Sequence, residues 1–146
     1  MSTIKVTIRG DKELNRSLKK VSKTISNAKP ILKRISDKLT KYFKDSMKSE
    51  GVKLLKKRWQ KLTPETLSAK SRLGFGSKKI LERTGKLRKG IKRVQLSNSK
   101  VTISNKVKYY KYHQVGGKTL PQRQMLGVNN DVADIAMKEI VKSIKF

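Results

Sequence analysis

His113 is the only histidine in the chain, so any imidazole chemistry rests on it. Imidazole serves as a general base or a metal ligand near neutral pH. A metal site normally takes three or four ligands, and here there is no cysteine and only 10 Asp and Glu. Asp131 and Asp134 come after His113, but they stand where a helix start attracts carboxylates. Packing or hydrogen bonding is therefore the expected role of His113. A serine nucleophile would need a base and an orienting acid, and no nucleophile-elbow pattern surrounds any serine. Gly74-Phe75-Gly76 lacks the spacing and the Lys-Ser/Thr ending of a phosphate loop. No catalytic, metal or cofactor set emerges, and the chain is not read as an enzyme.

The second chemistry on offer is phosphate contact. Lys56, Lys57, Arg58 and Lys61 flank Trp59, and Lys106, Lys108 and Lys111 interleave with Tyr109, Tyr110 and Tyr112. Cations beside aromatic rings are how sequence-tolerant nucleic-acid binders neutralise phosphates and stack bases. None of the named nucleic-acid folds has its signature here. The chain carries 38 Lys and Arg against 10 Asp and Glu, a net +28. The excess is uneven: residues 51–130 hold 21 basic residues and only Glu65 and Glu82 as acids, while residues 131–146 balance at three and three. Such charge repels itself in a compact chain, and a polyanion or acidic surface relieves it. A lysine-rich, AT-biased coding sequence is the alternative source.

The elements that would position these residues come from periodicity. Ile4, Val6 and Ile8 alternate, as in a half-buried strand over 3–8. Leu14, Leu18, Val21 and Ile25 recur at helical spacing. Pro30 then opens a second helix to about Lys48, with Leu32, Ile35, Leu39, Tyr42 or Phe43, and Met47 inward. One long helix kinked near Pro30 is the alternative. Thr63-Pro64-Glu65 is a helix start, running to about Arg72. Leu73–Lys79 reads as a flexible basic loop, and Thr84-Gly85 opens a short helical turn through Leu87 and Ile91. Val94–Leu96 and Val101–Ile103 alternate around the polar turn 97–100, as in a hairpin. Asn129 or Asn130 caps a last helix whose apolar face is Val132, Ile135, Ala136, Ile140 and Ile144.

The predicted fold class is α+β: a small antiparallel sheet, from the N-terminal strand plus the hairpin, packed against helices, with long N-terminal helices. A strand near Met125–Val128 would extend that sheet. At 146 residues the chain is read as one domain. Residues 1–50 supply the strand and long helices, 51–130 the basic core, and 131–146 the C-terminal helix. No apolar run has signal-peptide or membrane-spanning length, so no membrane role is expected.

The densest signals lie in Tyr109–Val128, which combines three tyrosines, His113, Gly116-Gly117, Pro121 and Gly127. Glycine frees φ and proline fixes it, so this is read as a shaped loop before the last helix. Tyr109-x-x-x-His113-Gln114-x-Gly116-Gly117, then Leu120-Pro121-x-Arg123 and Leu126-Gly127, resembles the signature of the Mu-like phage virion morphogenesis family, the tail-completion proteins of tailed bacteriophages. Trp59-Gln-Lys-Leu62-Thr63 and Ile80-Leu81-x-x-Thr84-Gly85-x-Leu87 resemble two further blocks in the same order. Gln124 stands where the family usually has a second proline, and Tyr110 where a small residue is usual.

The resemblance implies a structural virion protein that closes the head-proximal end of the tail and helps join tail to head. It implies a homo-oligomeric ring, neighbouring tail and neck proteins as partners, assembly in the host cytoplasm and residence in the virion. It makes Trp59, Leu62, Leu81, Gly85, Leu87 and Tyr109 core positions. His113, Gln114, Gly116, Gly117, Leu120, Pro121 and Arg123 become contact candidates, with Arg123 meeting a neighbouring subunit or a backbone carbonyl. Lys56, Lys57, Arg58 and Lys61 could face DNA in transit. The rival reading is a soluble, sequence-nonspecific nucleic-acid-binding protein.

Overall fold

The structure, a computed structural model, describes residues 12–144. The expected strand over 3–8 lies outside the described residues. Two helices come first, α1 (Lys12–Ser26) and α2 (Lys29–Lys48), separated at Asn27 and Ala28. Pro30 sits in the first turn of α2, where its missing N–H is no loss. The chain therefore makes two helices here, not one kinked rod. Then come α3 (Val52–Leu55), α4 (Pro64–Arg72), α5 (Lys86–Gly90), β1 (Ile91–Leu96), β2 (Val101–Asn105), α6 (Tyr110–Val115) and α7 (Asn130–Ser143). The class is α+β, as the sequence implied.

Helix α2 is the spine: α7, both strands, α3 and α5 pack on it. It buries Ile31, Ile35, Tyr42, Phe43 and Met47, so Tyr42 and Phe43 both face inward. Around Tyr42, Phe43 and Met47 close Leu54, Trp59, Ile80, Leu87, Ile91, Met125 and Val132, forming one apolar core. Ser36 and Ser46 are buried in the same helix, and both are hydrogen-bonded there. The Ser46 hydroxyl accepts from Leu54 N at 3.1 Å, and Ser36 accepts from Arg93 at 2.9 Å.

Strands β1 and β2 form an antiparallel hairpin closed by Ser97 N donating to Lys100 O at 2.8 Å. Three expectations are corrected here. Ile91 does not end a helical turn; it begins β1 and is fully buried. Val94 does not share a face with Leu96, because the register shifts between Arg93 and Gln95 and leaves Val94 in an exposed bulge. The proposed strand at Met125–Val128 is absent, since that segment has no regular structure.

The caps match the sequence. Thr63 accepts from Thr66 N to start α4, and Asn129 accepts from Val132 N at 2.9 Å to start α7. Helix α7 turns Val132, Ile135, Ala136 and also Glu139 toward α2. Ile140, assigned inward by periodicity, is exposed. Glu139 takes that face instead, 3 % exposed, because Lys38, Arg34 and Lys142 surround its carboxylate.

Candidate functional site

The segment between α6 and α7 is shaped by side chains rather than by a sheet. Helix α6 ends at Gly116, whose N–H donates to Tyr112 O at 2.8 Å and whose φ is +75°. A Cβ there would also lie 2.8 Å from Gln122 N, so the position demands glycine on two counts. Gly117 N then donates to Leu120 O at 2.8 Å, and the chain returns past α6. Arg123 N donates to His113 O at 2.7 Å. Gln114 fixes the backbone of Met125 and Leu126. Its Oε1 accepts from Met125 N at 2.9 Å and Leu126 N at 3.1 Å, and its Nε2 donates to Leu126 O. A side-chain amide thus supplies the hydrogen bonds that a neighbouring strand would have made. This is why no strand forms here.

The segment is docked on the Trp59 block. Trp59 is buried, its Nε1 donates to Gln124 O at 3.2 Å and its backbone N–H to Glu50 O at 2.8 Å. Gln124 thus contributes its carbonyl, which a proline would supply equally. Its side chain adds a bond to Leu126 O at 2.9 Å. Arg123 is only 5 % exposed and donates to Gln60 O at 3.2 Å. Its backbone-carbonyl contact therefore lies within the chain. Met125, between these anchors, is fully buried, while Leu120 and Pro121 are half-buried.

His113 is half-buried, and its Nδ1 is buried without a hydrogen-bond partner. Burial and then the Arg123 charge hold its pKa below the ordinary 6.5, so the ring is neutral. Burial also lowers Arg123, and no carboxylate offsets its charge. Tyr109 corrects the sequence reading. It is 45 % exposed and lies edge-on to His113, with ring centroids 6.4 Å apart, outside the core. Of the other family-block positions, Leu87 and Gly85 are buried, and Leu62 and Leu81 pack against the core.

The four basic candidates separate. Lys56 pairs with Asp131, whose other partner is the Tyr42 hydroxyl at 3.1 Å. The lysine, then the tyrosine, hold the Asp131 pKa below its ordinary 3.8. Asn129 joins the cluster, donating to Tyr42 Oη at 3.0 Å and Leu54 O at 2.9 Å. Lys57, Arg58 and Lys61 are exposed and form no ion pair among the described residues. The structure thus ties Lys56 to the start of α7 and leaves the other three toward solvent.

Sequence reasoning missed Gly51 and Glu139. Gly51 has φ +88°, and a Cβ on it would stand 2.4 Å from the Trp59 indole nitrogen. The end of the second helix near Lys48 was legible, but the close approach of Gly51 to a tryptophan was not. Glu139 was hidden because a periodicity count looks for apolar residues. Among the described residues no group of three or more His, Cys, Asp or Glu could hold a metal ion. No described helix is long and apolar enough to cross a membrane.

A family model described as the phage virion morphogenesis family matches residues 10–144, and the chain belongs to that family. No curated protein and no solved structure matches it.

Proposed function

We propose, from its membership of the phage virion morphogenesis family, that this chain completes the phage tail and helps join it to the head. The match over residues 10–144 is the observation that carries the reading. In this reading the work is assembly, not catalysis, and the protein resides in the tail or neck after assembling in the host cytoplasm. Copies meet head to tail and close a ring, as heterologous contacts do when the rotation closes. The segment from Gly116 to Val128 suits such contacts. It is pinned from within by Gln114 and Trp59, while Val128 at its end and Tyr109 and Tyr112 at the adjoining α6 are exposed. Lys57, Arg58 and Lys61 are the residues of the basic stretch free to meet DNA passing through.

The test is deletion of the gene from the phage or prophage that carries it, with electron microscopy of the particles. Separate heads and tails with irregular tail ends are expected, restored by supplying the chain in trans. The purified chain in 1 M salt should run as a ring, or as a monomer that assembles only on tails. Infectious particles lacking the chain would overturn the proposal.

A further inference from the structure

A second concentration of uncompensated charge lies elsewhere on the molecule. A cleft of about 500 Å³ opens between the end of α2, the turn before Ile80 and helix α5. Its cations are Lys48, Lys78, Lys79, Arg83, Arg88 and Lys89. The one carboxylate in it, Glu82, is engaged by Arg88 Nε at 2.8 Å. Lys48 reaches Asp45 at 3.7 Å. That leaves Lys78, Lys79, Arg83 and Lys89 with no carboxylate partner among the described residues.

Several of these groups are held in place by contacts that do not neutralise them. Lys79 Nζ donates to the Lys48 carbonyl at 2.6 Å. The Arg83 guanidinium lies over the Phe75 ring, 4.8 Å from its centroid. Lys70 Nζ, behind the cleft, is bonded to the carbonyls of Lys78 and Lys79 and fixes that turn. A lysine bound to a carbonyl keeps its full charge and loses its freedom. The cleft therefore carries oriented positive charge whose mutual repulsion is already built into the fold, and an anion entering it removes that repulsion.

We infer that this cleft is a binding site for the phosphodiester backbone of nucleic acid. The rest of its lining is Glu82, small polar residues and glycine, with no apolar side chain. Protein partners dock through an apolar centre inside a polar rim, whereas nucleic-acid interfaces are polar and strongly positive throughout. Contacts to the phosphodiester backbone carry no base information, so the binding proposed is sequence-independent. The assignment rests on the cleft alone and stands whether or not the chain closes a ring.

The test uses the full chain and a fluorescein-labelled 20-base-pair duplex, titrated by anisotropy across a salt series. One variant carries Lys78→Gln, Lys79→Gln, Arg83→Gln and Lys89→Gln. A control removes four charges from α1, as Lys12→Gln, Lys19→Gln, Lys20→Gln and Lys23→Gln. Circular dichroism melts establish that both fold. Each phosphate contact contributes about −0.9 to the slope of log K against log salt, so the cleft variant, with four cations removed, should flatten it by about 3.6. Its affinity at 0.15 M salt should fall more than about 10-fold, and that of the control less than about 3-fold. Equal losses in both variants would make the binding a matter of net charge and overturn the site. A larger loss by the cleft variant toward poly-glutamate than toward the duplex would assign the cleft to acidic polypeptide, and equal losses would make it a general anion site; either result overturns the nucleic-acid reading.

Discussion

The side-chain amide of Gln114 is bonded to both the N–H and the carbonyl of Leu126, closing a ring between α6 and the segment before α7. Gln114 also accepts from Met125 N, so one side chain satisfies three backbone groups beside a fully buried methionine. Gln114→Ala should lower stability by about 3 kcal/mol, three hydrogen bonds at about 1 kcal/mol each. Gln114→Glu keeps the acceptor but sets a carboxylate against the Leu126 carbonyl, and should also destabilise. Urea denaturation of the three proteins measures this; an alanine variant as stable as the parent would contradict it.

Gly51 and Trp59 form a second lock. Gly51→Ala adds a Cβ into the indole at a backbone angle that suits glycine. Trp59→Ala removes a buried aromatic and should cost about 3–5 kcal/mol. Trp59 is the only tryptophan, so its emission reports this contact directly. The Gly51→Ala protein should show a red-shifted emission and a lower melting temperature than the parent.

Arg123 gives a prediction of opposite sign. It is a buried cation with a single carbonyl partner, and its Nε is unbonded. A buried charge without a counter-ion is a poor source of stability, and apolar replacement of similar length is often neutral or better. Arg123→Met should melt at or above the parent temperature. If it also fails to complement a deletion in particle assembly, the arginine serves the particle rather than the fold. A marked loss of stability would show that the Gln60 contact holds the segment down.

Acid should unfold the protein in two stages. His113 sits below its ordinary 6.5 because of burial, then Arg123. Above pH 6.5 it is neutral in both states and contributes nothing. Below 6.5 the unfolded chain takes a proton that the folded chain refuses, so stability falls until the folded pKa is passed. Glu139 is held below its ordinary 4.5, first by the Lys38 hydrogen bond. Its contribution is fully present above 4.5 and is lost as pH drops through the folded value. Melting temperature against pH should therefore show a shallow decline starting near 6.5 and a steeper one below 4.5. His113→Gln should remove the first, and Glu139→Gln should soften the second while lowering the plateau.

Periodicity and cap chemistry made most of this fold readable. The inward residues of α2, the Thr63-Pro64-Glu65 start of α4, the Asn129 cap and the hairpin all depend on local rules that hold wherever the segment is placed. What escaped depends on partners distant in sequence. Tyr109 looked like core because it is aromatic, yet it lies outward against His113. Met125–Val128 looked like a strand because nothing local shows that Gln114 will take its hydrogen bonds. Arg123 was read as meeting a neighbouring subunit or a backbone carbonyl, and nothing local shows that Gln60 of its own chain offers one. The basic cleft draws five of its six cations from residues 78–89, part of which was read as a basic loop, but nothing local shows that the end of α2 will close against that stretch with Lys48.

Glu139 meets Lys38 across 101 positions of sequence, joining α7 to the spine. During synthesis, α2 leaves the ribosome long before the helix that covers it. Until then Ile31 and Ile35 face water, and Arg34 and Lys38 stand one turn apart without the Glu139 carboxylate that meets them both in the fold. A nascent chain in that condition is sticky and positively charged, inside a cell full of ribosomal RNA. The carboxylate that meets both cations is made only with α7.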